Sequence, residues 1–139
     1  MVQRVEALGA VLIRHTPTGE LQIGIFQRAE RSTFHKDMHE LMGGDFQLGE
    51  TPEMVLKREL KEKTQLEPIS VGNEAVVEIT EGDVTVRRHA FLCEFSPEVT
   101  PQVDSAKHQG FMWASLSQIN DMTDLVPGTW EILHAVGIK

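Results

Sequence analysis

The chain has one cysteine among its 139 residues, so no internal disulfide can form and stability has to come from a packed core. Cys93 lies in the apolar run HAFLCEF, where a thiol behaves as a small buried hydrophobe. Such sparing use of cysteine fits a reducing compartment. No apolar run approaches the roughly 20 residues of a membrane span. The opening MVQRVEALGAVLI is interrupted too soon by Arg14 and His15 to act as a signal peptide. A cytoplasmic protein with no membrane association is the expectation. Positive charge is scarce as well: 13 Lys and Arg stand against 21 Asp and Glu, a formal net charge of −8. A surface of that sign repels nucleic acid over most of its area, which excludes an extended polynucleotide partner. A small anion can still bind where a metal or a local cluster of Arg and Lys screens it. Repeats, low-complexity segments and linkers are also missing, so residues 1–139 are expected to form a single domain.

What is present is ordinary globular composition, 40% apolar and 24% charged, on a chain long enough for a real core. VEALGAVLI (5–13) reads as a strand, PTG (17–19) as a turn, and LQIGIFQR (21–28) as the second strand of a hairpin. Residues 29–40 carry charge without a period and predict a loop. A glycine-bent loop follows from Asp45 to Glu50. Thr51 is a good N-cap, Pro52 suits the first helical position and Glu53 suits the positive end of the dipole, so a helix is predicted to about Thr64 or Gln65. Pro68 bars its continuation, and Leu56 and Leu60 stack at i, i+4 toward a sheet. Strands are expected at 71–80 and 84–95, joined at EGD, then a loop over 96–108. A short strand in GFMWASL, a short helix in LSQINDM opened by Ser115 or Ser117, and a closing helix in PGTWEILHAVGI complete the chain. The order of elements predicts an α/β (α+β) domain with a central mixed sheet and helices on both faces.

On the long helix Glu59, Glu62 and Lys63 project from one face. Beside a bent loop ending in Glu50, these carboxylates can supply oxygen ligands to Mg²⁺ or Mn²⁺. Arg58 can reach back to Glu50 and brace loop to helix. A solvated, salt-bridged helix surface would use the same residue types.

The spacing is more specific than the composition. Gly44, five residues, Glu50, seven residues, Arg58-Glu59-Leu60, one residue, Glu62 and the apolar Leu66 together resemble the signature of the Nudix hydrolases. GAVLI, IFQR, ELMGG and the late Trp113 followed by SLSQI resemble the family in order and spacing as well. The resemblance implies an α/β/α sandwich and metal-assisted cleavage of a small nucleoside di- or triphosphate derivative, with Mg²⁺ or Mn²⁺ as cofactor. It implies Glu59 and Glu62 as metal ligands, the Gly43 carbonyl beside them, Glu50 and Arg58 as the brace, and Arg28 as a phosphate contact. The chemistry is coherent: carboxylate-held metals activate water and absorb the charge that builds on the leaving phosphate.

Four positions depart from the pattern. Lys63 replaces the second of the paired glutamates, Gln65 the glycine at the helix end, and His39 and Met42 the usual approach residues. Lys107 stands at the offset, six before Trp113, where a glutamate often lies. A unit charge pair at 4 Å is worth about 4 kcal/mol at an effective dielectric near 20. Exchanging a carboxylate for an ammonium is therefore enough to empty one metal subsite. A one-metal site on Glu59 and Glu62 is one consequence; Glu74, Glu78, Glu81, Asp83 or Asp104 as substitute ligands, or His108 as base, are others. A third is that Lys63 and Lys107 hold phosphates directly, making the domain a nucleotide-binding or regulatory module with impaired catalysis. His35 and His39 form a zinc pair only on a helix, which that segment does not predict. Phe34 and Trp113 are packing residues before they are base-stacking ones. Trp130 and Ile132 on the closing helix serve either the core or a homodimer contact.

Overall fold

A computed structural model describes residues 3–29, 37–102 and 108–138. Strand β1 (Gln3–His15) is the spine of the sheet, because its central residues 7–13 are buried on both faces. It pairs antiparallel with β2 (Leu21–Arg28), Ile13 opposite Ile23, as the predicted hairpin requires. Two short strands follow, β3 (His39–Glu40) and β4 (Met42–Asp45). They occupy the end of a segment expected to be loop and the glycine approach after it. β3 pairs with β2 and β4 with β1, Gly43 opposite Gly9. Helix α1 (Pro52–Thr64) comes next. After it the predicted strand over 71–80 divides into β5 (Ser70–Val71) and β6 (Ala75–Glu81), both antiparallel to β7 (Val84–Glu94). β7 runs parallel to β1 from Gln3–Val84 to Ile13–Glu94, which makes the sheet mixed. β8 (His108–Ala114) pairs antiparallel with β2 on the other side. The chain then forms α2 (Leu116–Asp121), opened by a capping box on Ser115, and α3 (Thr129–Ala135).

Side-chain alternation along β1 divides the core in two. Leu8, Ala10 and Leu12 pack with Phe91, Cys93 and the inner face of α1, Val55, Leu56 and Leu60. Val11 and Ile13 pack with Ile23, Ile25, Ile119 of α2 and Ile132 and Leu133 of α3. Helices therefore cover both faces, as the α/β/α expectation requires. Cys93 is fully buried, and burial pushes its thiol up to about 12. Ile132 belongs to the core and Trp130 packs at its margin.

The start of α1 follows the local chemistry: the Thr51 side chain accepts from Met54 N–H and Pro52 opens the first turn. Its end falls at Thr64, within the predicted bound. Gln65 takes the left-handed conformation itself, at φ 57° and ψ 25°, and its N–H reaches the Leu60 and Lys61 carbonyls. The helix exit that a glycine would have made is preserved by a residue less suited to it.

Candidate functional site

The loop from Asp45 to Glu50 is fastened to α1 by one guanidinium. Arg58 Nε and Nη2 donate to the two Glu50 carboxylate oxygens, both at 2.9 Å, and Nη2 also donates to the Asp45 carbonyl at 2.9 Å. Glu50 in turn accepts from the Gln47 N–H at 2.8 Å. This bidentate pair raises the Arg58 pKa, its hydrogen bonds to Glu50 being the largest cause. The same bonds, and then the Gln47 N–H, hold the Glu50 carboxyl below its ordinary range. Nη1 of Arg58 reaches the neighbouring Glu59 at 2.7 Å, so one side chain ties loop, helix and inner carboxylate together.

The two glycines of MGGD make room for charged side chains. A methyl group on Gly44 would lie 2.5 Å from Glu59 Cδ, and one on Gly43 would lie 2.9 Å from Arg88 Nη1. Glu59 is thus drawn against the strand and is 2% exposed. Its Oε1 meets Arg58 and its Oε2 lies 3.0 Å from Lys63 Nζ. Lys63, 7% exposed, points inward and donates to the Gly43 carbonyl at 2.5 Å. Glu62 lies on the outer side, about half exposed, 3.7 Å from Arg58 Nη1.

This geometry tests the metal site. Two of the three expected ligands, the Gly43 carbonyl and Glu59, converge on the ammonium of Lys63, and the other Glu59 oxygen is bonded to Arg58. A divalent cation placed between them would displace Lys63 or stand against its charge. Among the described residues no group of three or more His, Cys, Asp or Glu side chains is arranged to hold a metal. The residues at the Gly43–Glu59 corner do not fit a divalent metal; they fit the lysine already there.

The other sequence-singled residues are placed as follows. Arg28 donates from Nη1 to Glu40 Oε1 at 3.0 Å, and Glu40 Oε2 meets His108 Nε2 at 2.8 Å. Burial works to raise the Glu40 carboxyl, but the His108 hydrogen bond and the charge of Arg28 outweigh it and hold the group below its ordinary range. His108 is therefore a buried strand residue, 2% exposed, and not the end of the loop expected over 96–108. Glu74 pairs with His89, whose Nδ1 lies 2.6 Å from it while Nε2 lies 2.7 Å from Glu6. Glu78 reaches Arg4 at 4.0 Å, and the Asp83 carbonyl accepts from Gln3 N–H. His39 pairs with Asp124 at 2.9 Å. Trp113 packs as expected, donating to the Val99 carbonyl at 3.1 Å with Arg14 over its ring. Lys107, Asp104, His35 and Phe34 lie outside the described residues.

Sequence reasoning passed over Arg88, Glu40 and His89. The run Arg87-Arg88-His89 carried the available signal. Alternation sends neighbours to opposite faces, so in a central strand covered on both sides at least one of these polar groups must point inward.

The fold is shared with known proteins. A family model described as NUDIX domain matches residues 5–136. Among solved structures, the chain is similar to the NUDIX domain of Shewanella oneidensis NrtR complexed with ADP ribose. The TM-score is 0.80 at 19% identity, over 97% of this chain and 87% of that one. It is similar to the MutT NUDIX hydrolase from Burkholderia pseudomallei, with TM-score 0.77 and 20% identity over 96% and 98% of the two chains. It also resembles an Ap4A hydrolase binary complex from C. elegans, with TM-score 0.74 and 16% identity over 94% and 93%. No curated protein gives a significant match.

Proposed function

The chain belongs to the NUDIX domain family, and from that premise we propose that it is a pyrophosphohydrolase of small nucleoside di- or triphosphate derivatives, with turnover held low by Lys63. The observation that carries this reading is the intact brace. Glu50, Arg58, the Asp45 carbonyl and Glu59 are joined through one guanidinium, the arrangement that a loop presenting a pyrophosphate to a helix needs. Glu62 keeps an exposed side chain and is the signature carboxylate left to act on a bound ligand. The relatives named above include hydrolases and a domain complexed with ADP ribose, which supports a small nucleotide as ligand class. The family generally relies on divalent metals, whereas here the inner ligands already hold an ammonium.

The test is phosphate release from nucleoside triphosphates, nucleotide sugars, ADP-ribose and dinucleoside polyphosphates, with Mg²⁺ or Mn²⁺ supplied. Slow turnover of at least one class is expected, rising tenfold or more in Lys63→Glu. Absence of hydrolysis by both proteins at high concentration would sink this reading.

One observation favours a second reading. A lysine seated on Glu59 and the Gly43 carbonyl assembles the site without metal, as a nucleotide-binding or regulatory module would require. Nucleotide titration in EDTA separates the two: binding retained without metal, together with no turnover, selects the module.

A further inference from the structure

Among the described residues five large apolar side chains are exposed, Leu48, Met54, Ile69, Val71 and Val76, and they gather on the α1 side of the sheet. Leu48 and Met54 flank the start of α1 itself. Val71 stands opposite Cys93 on β7, with Ile69 two residues before it, and Val76 stands opposite His89, which is beside Leu8. Residues paired across strands share a face, and Leu8 and Cys93 belong to the core beneath α1. Apolar residues scattered singly over a surface need no explanation, but a group collected on one side marks a contact surface. Between the outer face of α1 and residues 65–71 runs an open groove of about 1470 Å³, with Met54, Leu66 and Val71 in its lining.

The charges around the groove select its occupant. Three cations, Lys57, Arg58 and Lys61, and three carboxylates, Glu50, Glu62 and Glu67, line it, so it is neutral on a chain whose formal net charge is −8. Two acidic copies repel one another over most of their surfaces and least at this face. A strongly charged partner finds no net field here to steer it. Arg58 is bonded to Glu50 and lies 3.7 Å from Glu62. Among the described residues Lys57, Lys61 and Glu67 have no ion-pair partner. Unpaired charges of both signs beside one apolar patch make it self-complementary, as a two-fold contact requires. We propose that this groove is the interface of a homodimer, in which two copies of α1 pack antiparallel with Met54 of one copy against Leu66 and Val71 of the other. Met54 lies in the first turn of α1 and Leu66 just past its last, so reversal about a two-fold axis at mid-helix exchanges the two ends. The same reversal carries Lys57 toward Glu67 of the second copy. The contact borders the site at Arg58 and Glu62 and stands independently of the nucleotide reading.

The experiment is sedimentation equilibrium of the full chain from about 1 to 100 μM, the range that resolves a micromolar interface. The wild type is expected to pass from the mass of one chain to that of two as concentration rises. Met54→Asp combined with Val71→Asp should raise the dimer Kd about tenfold or more, with an unchanged melting temperature because both side chains are exposed. Lys57→Glu alone should weaken the dimer severalfold, and adding Glu67→Lys to it should restore the wild-type Kd. A contact elsewhere on the surface would not show that rescue. Should the two aspartates lower the melting temperature, the exchange at the exposed Lys57 and Glu67 decides alone. A wild type that stays monomeric throughout would overturn the dimer and leave the face to a different protein. Dimerisation untouched by the aspartates at unchanged melting temperature would place the interface elsewhere and overturn the assignment. Weakening by Lys57→Glu without recovery in the exchange would overturn the antiparallel contact.

Discussion

Lys63 is a long cationic side chain on a helix, of a kind usually found in water, yet it is almost fully enclosed. Its burial is tolerated because the Gly43 carbonyl and Glu59 receive the ammonium. Without it Glu59 would keep only Arg58. Lys63→Met is expected to destabilise the fold by about 2 kcal/mol, less than the full cost of breaking a buried pair because Arg58 still compensates the carboxylate; urea denaturation measures it. Glu40 supplies a second test at this scale. Its folded carboxyl lies below the ordinary value, so its contribution is present above the unfolded pKa of about 4.3 and is lost as pH falls through the folded value. Melting temperature should decline as pH drops below about 4.5, and the decline should be shallower in Glu40→Gln.

Helix α1 shows why some elements are legible along the chain and others are not. Its first turn is decided by neighbours in sequence, Thr51 capping Met54 N–H with Pro52 alongside, and the predicted start holds. Its last turn is also local, but Gln65 carries a left-handed backbone that costs a side-chain-bearing residue about 1 kcal/mol. Gln65→Gly should recover roughly 0.5–1 kcal/mol, offset in part by the greater freedom of glycine in the unfolded chain; a rise in the denaturant midpoint at unchanged slope would show it. Strand β3 is a different case. His39–Glu40 is extended because β2 offers it an edge. That segment has no alternation that marks a strand, so its conformation depends on a partner distant in sequence, whereas β8 overlaps the strand predicted in GFMWASL.

For the whole molecule, an internal ammonium should make assembly of the site independent of divalent metal. Wild-type melting temperature should be unchanged by EDTA or by millimolar Mg²⁺ or Mn²⁺. Lys63→Glu should melt lower in EDTA, where two carboxylates then crowd the Gly43 carbonyl, and recover with added metal in a saturable way. A saturable stabilisation of the wild type by Mg²⁺ that Lys63→Glu fails to increase would show that metal binds without regard to this residue.

What the sequence determined by itself is whatever short-range chemistry decides: the hairpin of β1 and β2, the start of α1, the pairing of Arg58 with Glu50, and family membership through fixed spacing. It also showed that a lysine stands where a carboxylate belongs. Only the tertiary structure decided what that lysine does, since its partners are a carbonyl from another strand and a glutamate pinned by the missing side chain of Gly44. The same holds for Glu40, whose partners Arg28 and His108 come from two other strands. A charge declares its presence in a sequence, but its partners are chosen by distances that only the packed sheet and helix set.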